Sequence, residues 1–389
     1  MRWTIQEILH TSLSGFLESR RLPVYLDRAL RALARCRTAA LGGHTKKCPA
    51  GHIQGIWYNS CRHRSCPQCS MGKLEAWLEA KREMLLPCDH YHVIFTLPWQ
   101  FRLLWQWNPR AMGDLLFSIS TATLRTLLGQ ERRLGDAKPG WIAALHTWGR
   151  TLIAHPHVHC LVTGGGLLPD GTWRPVRNGY LLPFRQVRHD FRRRFCDALE
   201  AKLRAGELAL PPDLSPTAAL GLVAKARRLK WNVRVEAPYR HGDGVATYLA
   251  RYLKGGPIKN HRLVTFDGES VSLRYGDFRQ TDAAGKPKSK ILRLSITELL
   301  ERLILHVPPP GMKMVRSYGL YAHTSREELE QARSQIEPSA AWRKARRRLD
   351  RSRQKRCSHQ PRCPVCGLTL VVERDTADGS EAAGPSSTG

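Results

Sequence analysis

The sequence predicts an α+β protein of antiparallel strands with helices on their flanks. Three observations carry that class. Short apolar or alternating runs bounded by Gly, Pro or Asp-Gly read as strands at 90–98, 141–148, 155–163, 229–236 and within 261–294. Longer segments with apolar residues three and four apart read as helices between and around them, at 109–130, 184–204 and 294–305. At 389 residues and 42% hydrophobic composition the chain has material for two or more domains with real cores.

Taken in order, residues 3–37 read as amphipathic helices. Ile5, Ile8, Leu9, Leu13 and Phe16 form one stripe, Leu26, Leu30 and Leu33 another, and Pro23 separates them. Residues 44–69 read as a zinc module. Cys66-Pro-Gln-Cys69 has the spacing at which two thiolates share one ion. Cys48, His52 and Cys61 are the candidates that complete the set, and spacing alone does not choose among them. Residues 71–84 are a charged helix with Leu74, Trp77, Leu78 and Met84 on its apolar side, and Pro87 ends it. Asp170-Gly171 is the turn of a hairpin. The 184–204 helix is dense in arginine, which suits a solvated face or contact with a polyanion. Pro211, Pro212 and Pro216 mark a loop. Ser295 and Glu298 form a helix-opening pair ahead of Pro308. Residues 326–349 read as helical and run into a basic arm through Arg356. There Cys357, His359, Cys363 and Cys366 offer a second zinc set. The divisions expected are 1–88 helical and zinc-binding, 89–306 the sheet domain, 307–374 a basic helical region, and 375–389 a disordered tail.

A formal charge of +29 points to a polyanionic partner. No apolar run approaches the ~18 residues that span a bilayer, and the first residues lack a signal-peptide core. A nucleic-acid partner and a cytoplasmic, nucleoid-associated location are therefore expected, with no membrane. Eleven cysteines in such a setting argue for metal rather than disulfides. Cys36, Cys88, Cys160 and Cys196 stand isolated and read as small apolar core residues.

The chemistry-bearing stretch is His155-Pro-His157-Val158-His159-Cys160-Leu161-Val162. In a strand His157 and His159 point the same way, which makes half a metal site or two polar residues on a wetted face. Residues 243–256 read as a helix opened by Asp243 and stopped by Gly255-Gly256. Val245, Leu249 and Leu253 form its buried stripe, and Tyr248 and Tyr252 lie one turn apart beside Arg251 and Lys254. Both tyrosines also suit amphipathic packing at a core edge. A metal that polarises a phosphodiester, facing a phenol, is the equipment for cutting DNA through a phosphotyrosine link.

At these residues the sequence resembles the HUH (His-hydrophobic-His) rolling-circle transposases, the two-tyrosine branch with an N-terminal zinc-binding domain. The matching pieces are Ser60–Cys69, Val93–Pro98, His146–Gly149, His155–Val162 and Tyr248–Tyr252, in order over most of residues 40–280. The resemblance implies a central antiparallel, RRM-like sheet and strand transfer on single-stranded DNA by Tyr248 and Tyr252. It also implies a divalent ion (Mg2+ or Mn2+) on His157 and His159, and a structural Zn2+. HUH enzymes use a third ligand, for which His146 and His155 are the options. His90 and His92 also share a strand face, and only the resemblance sets them aside. A plasmid replication initiator with the same chemistry and a non-enzymatic zinc-finger regulator are the alternatives. Since imidazoles bind metal only unprotonated, activity is expected to fall below pH ~6.

Overall fold

The computed structural model describes residues 3–69, 80–81, 83–239, 256–282, 285–340, 342–344, 346–347, 350–351 and 361–375. Helix α1 (Ile5–Glu18) opens with a reciprocal cap. The Thr4 hydroxyl accepts from the Glu7 N–H, and the Glu7 carboxylate accepts from the Thr4 N–H. It buries Ile5, Ile8, Leu9, Leu13 and Phe16, the stripe that the periodicity predicts. Helix α2 (Val24–Ala34) follows Pro23 and buries Leu26, Ala29, Leu30 and Leu33. A hairpin, β1 (Gly43–Lys47) and β2 (Ile53–Tyr58), comes next.

The main sheet begins at β3 (His90–Thr96). Helices α3 (Arg102–Trp107) and α4 (Pro109–Leu128) lead to β4 (Lys138–Trp148), β5 (Ala154–Leu167) and the short β6 (Trp173–Pro175). Helices α5 (Phe184–Arg204) and α6 (Pro216–Arg228) then return the chain to β7 (Val233–Val235). With β11 (Val315–Gly319) the sheet runs β11-β4-β5-β3-β7, β6 hanging from β5, and every pairing is antiparallel. Alternation along the central strands sorts the two faces. Val158, Cys160, Val162, Val93, Phe95 and Leu145 face the helices and are buried. Phe95 meets Phe191 at 4.8 Å between ring centroids, and Phe191 meets Trp231 at 5.3 Å. Each such side chain contributes about 1.5–3 kcal/mol by burial, so this layer makes the sheet a rigid platform. The opposite face carries the even positions of β3 and the histidines of β5.

A second sheet, β8 (Leu263–Phe266), β9 (Ser270–Thr281) and β10 (Pro287–Ser295), leads into α7 (Ile296–Ile304), which Ser295 caps by accepting from the Glu298 N–H. Val271, Leu273, Leu294, Leu299 and Leu303 share one core with Ile5, Leu9, Leu30 and Leu33. After β11 come α8 (Arg326–Ser334) and β12 (Val371–Asp375).

The α+β class and antiparallel strands follow the expectation, but contacts cross the expected divisions. The N-terminal helices pack on 263–304, β11 joins the main sheet from beyond residue 306, and β12 pairs with β1. Pro216 opens a helix rather than marking a loop: Ser215 accepts from the Ala218 N–H, and proline at the first helical turn sacrifices no hydrogen bond. The arginines of α5 are largely occupied at home. Arg193 and Arg194 pair with Asp190, Arg204 pairs with Glu200, and Arg192 donates to the Leu229 carbonyl. Among the described residues no helix is long and apolar enough to cross a membrane.

Candidate metal centre and zinc module

Register places the histidines. On β4 His146 stands directly opposite His157, and Ala144 opposite His159. On β3 His92 lies opposite Leu161, hence diagonal to His159. The ligating nitrogens of His146, His157 and His159 lie within 4.8 Å of one another. Ring centroids are 5.3 Å apart for His146 and His157, 4.6 Å for His146 and His159, and 4.8 Å for His157 and His159. Of the two options for a third ligand, the structure brings His146 into the cluster. His155 is not in that group; its ring is tilted at 51° to His157, 5.1 Å away between centroids.

The surroundings suit a cation. The Nδ1–H of His157 donates to the His155 carbonyl at 2.5 Å, which leaves Nε2 with a lone pair. The Nδ1 of His159 lies 2.8 Å from the Nε2 of His92. With Nδ1–H as donor, the lone pair of His159 lies on Nε2. Burial pushes His157 down to about 4 and His159 well below its ordinary value, so both rings are neutral at pH 7. Two neutral imidazoles, with the His146 ring beside them, therefore fit a divalent ion. His92, set aside as a coincidental pair with His90, is the residue that sequence reasoning missed; only the β3–β5 register shows it touching the cluster. His90 serves packing instead. Its Nδ1–H donates to the Cys88 carbonyl, and its Nε2 accepts from the Tyr321 hydroxyl at 2.6 Å.

The five cysteine-module candidates do not form one group. Cys61, Cys66 and Cys69 gather with Cys36, all four sulfurs within 4.8 Å. Cys36 was expected to be a plain core residue; it lies at the end of α2, buried, and its isolation in sequence hid it. The Cys61 and Cys69 sulfurs are 3.6 Å apart. That is far from a bond, and near the roughly 3.8 Å expected of two thiolates ~2.3 Å from one tetrahedral zinc. Cys66 is pushed down to about 5, chiefly by the hydrogen bond from Cys61, which favours a thiolate. Cys48 and His52 stand apart, beside Cys363 and Cys366. The expected C-terminal set of Cys357, His359, Cys363 and Cys366 is divided accordingly, and Cys357 and His359 lie outside the described residues.

Tyr248, Arg251, Tyr252 and Lys254, with the helix expected at 243–256, also lie outside the described residues up to Gly255. Their described flanks are anchored. Tyr239 exchanges backbone hydrogen bonds with His90 at the start of β3. Gly256 lies so close to the zinc loop that an added Cβ would sit 2.6 Å from the Ser65 carbonyl oxygen.

Residues 8–97 match a family model described as a transposase zinc-binding domain, and residues 140–328 match one described as a putative transposase. A putative transposase, y4qJ, of Sinorhizobium fredii (strain NBRC 101917 / NGR234) is 35% identical over 362 residues, 90% of this chain and 89% of the relative. The transposase for insertion sequence element IS801 of Pseudomonas savastanoi pv. phaseolicola is 30% identical over 298 residues, 74% of this chain and 68% of the relative. No solved structure matches the chain. The chain belongs to the family of putative transposases that carry an N-terminal transposase zinc-binding domain, the family its ordered motifs resemble.

Proposed function

We propose that this transposase cuts and rejoins single-stranded DNA at the ends of its element, by rolling-circle transposition through a 5′-phosphotyrosine intermediate. The observation that carries the reading is the gathering of His146, His157 and His159 on one sheet face. Those residues would hold a divalent ion, Mg2+ or Mn2+, which when bound polarises the scissile phosphate. Tyr248 or Tyr252 attacks phosphorus with its phenolic oxygen and gives up its proton. The bond from phosphorus to the 3′ oxygen breaks, and that oxygen takes a proton as the leaving hydroxyl. The 5′ phosphate stays on the tyrosine with its bond energy retained, so a later 3′ hydroxyl can reverse the step without ATP. Two tyrosines allow one cut to be held while the second is made. The net charge of +29 suits the DNA backbone.

The test is incubation of labelled single-stranded element ends with protein and Mn2+, followed by a denaturing gel and mapping of the linked residue. A protein-linked band is expected from wild type. Tyr248→Phe and Tyr252→Phe should each abolish or uncouple cleavage and rejoining while DNA binding persists. The His157→Ala, His159→Ala double variant should lose metal-dependent cleavage. Adduct formation at the normal rate by the double variant would refute the metal assignment. Binding without any adduct from wild type would leave a regulator as the better reading.

A further inference from the structure

The sheet formed by β12, β1 and β2 has little apolar packing to hold it. Ile53 and Ile56 on β2 are 66% and 59% exposed, and Val371 and Val372 on β12 are 52% and 53% exposed. Among residues 361–370 Cys363 is the buried one, at 2%. A sheet this small, without a core, needs a covalent or metal staple. Two turns meet at its end. On one side the Cys48 N–H donates to the His52 carbonyl at 3.1 Å, and Gly51 closes the turn at φ +84°. On the other the Gly367 N–H donates to the Cys363 carbonyl at 2.8 Å, with Gly367 at φ +73°. Each turn thus presents two ligands from a short loop closed by a left-handed glycine.

The side chains converge. The Cys366 sulfur is 3.5 Å from that of Cys48, the Cys48 sulfur is 3.3 Å from the Nδ1 of His52, and the Cys363 sulfur is 3.9 Å from the same nitrogen. All four donor atoms lie within 4.8 Å of one another. The sulfur separation excludes a disulfide, whose atoms stand ~2.05 Å apart, and fits a tetrahedral ion. The amide of Gln54 donates to the Cys363 sulfur at 3.5 Å, the outer contact a metal thiolate needs.

We propose that Cys48, His52, Cys363 and Cys366 bind a second Zn2+, separate from that of Cys36, Cys61, Cys66 and Cys69. This ion clasps the N-terminal hairpin to a turn 311 residues away, counted from His52 to Cys363. Three thiolates and one imidazole select zinc over Mg2+ or Mn2+, and the closed set makes the site structural. The site stands independently of the cleavage chemistry.

The test uses the full-length zinc-loaded protein. Metal analysis should show the Cys363→Ser, Cys366→Ser double variant losing one equivalent of zinc per chain. The Cys61→Ser, Cys66→Ser variant should lose a different one, and cobalt substitution should give separate three-thiolate and four-thiolate absorption signatures. Alkylation of wild type requires no variant to fold. Cys366 is exposed, yet it should stay unreactive together with Cys48 and Cys363, and all three should become reactive together when a chelator is added. Fast labelling of Cys366 in loaded protein while Cys48 stays protected, or an unchanged zinc content in the 363/366 variant, would overturn the clasp.

Discussion

The Nε2 of His92 lies 2.8 Å from the Nδ1 of His159, with both rings buried and nearly coplanar at 10°. An imidazole acceptor behind a metal-ligating imidazole fixes both the ring's orientation and its tautomer. His92 is thus a positioning residue for the proposed metal. His92→Ala should weaken Mn2+ binding about 10–100-fold, read by titration with an electron-spin signal, with DNA binding unchanged. An unaltered metal affinity would make the His92–His159 contact mere packing.

Tyr321 is 1% exposed, and its hydroxyl both accepts from the Leu86 N–H at 3.1 Å and donates to His90. Tyr321→Phe keeps the ring and strands both partners in a dry core. The expected loss is about 1–3 kcal/mol, measured as a shift in the urea midpoint with an unchanged slope.

His306 is held neutral inside the fold. Thr147 donates its hydroxyl proton to Nδ1 at 3.0 Å, Nε2–H donates to the Leu152 carbonyl at 2.8 Å, and burial pushes the ring down to about 4. The unfolded chain takes up this proton near pH 6.5. Stability is therefore intact above pH 6.5 and is lost as pH falls from there toward about 4, because the unfolded state then binds more protons. His306→Gln removes that dependence. The stability gap between wild type and variant should be widest at pH 7.5 and narrow on acidification; parallel curves would count against the assignment.

Gly319 ends β11 at φ +56°, where an added Cβ would lie 1.8 Å from the Pro139 carbonyl oxygen. Neither backbone can yield without parting β11 from β4. Gly319→Ala should cost about 2–4 kcal/mol and raise hydrogen exchange along 315–319. Gly206 has φ +68° but open space around it. Gly206→Ala should cost only about 1 kcal/mol, the conformational part alone.

The strands and helices around the histidines were legible because their apolar period is strong: 109–130 and 184–204 in the sequence became Pro109–Leu128 and Phe184–Arg204 in the fold. Strand β11 was not, since each of its residues is only half-buried and Val-Arg-Ser-Tyr-Gly lacks a clear alternation. The His-x-His face followed from strand geometry. Preferring His146 to His155, and finding His92, required the register of three strands, which pairwise spacing does not contain. Metal grouping failed for the same reason. Spacing links cysteines that are near in sequence, whereas Cys36 reaches its partners through a helix end, and Cys363 through a strand that pairs across the chain.

The pairing of β12 with β1 also sets a clock on synthesis. At ~5–20 residues per second, a ribosome needs on the order of 15–60 s to travel from the hairpin that carries His52 to the turn that carries Cys363. During that interval β1 has an open edge, and Cys48 and His52 in the turn after it lack half their companions. Nascent chains released early by a stop codon would keep that edge exposed, so such fragments should be the ones that cells clear or that clump.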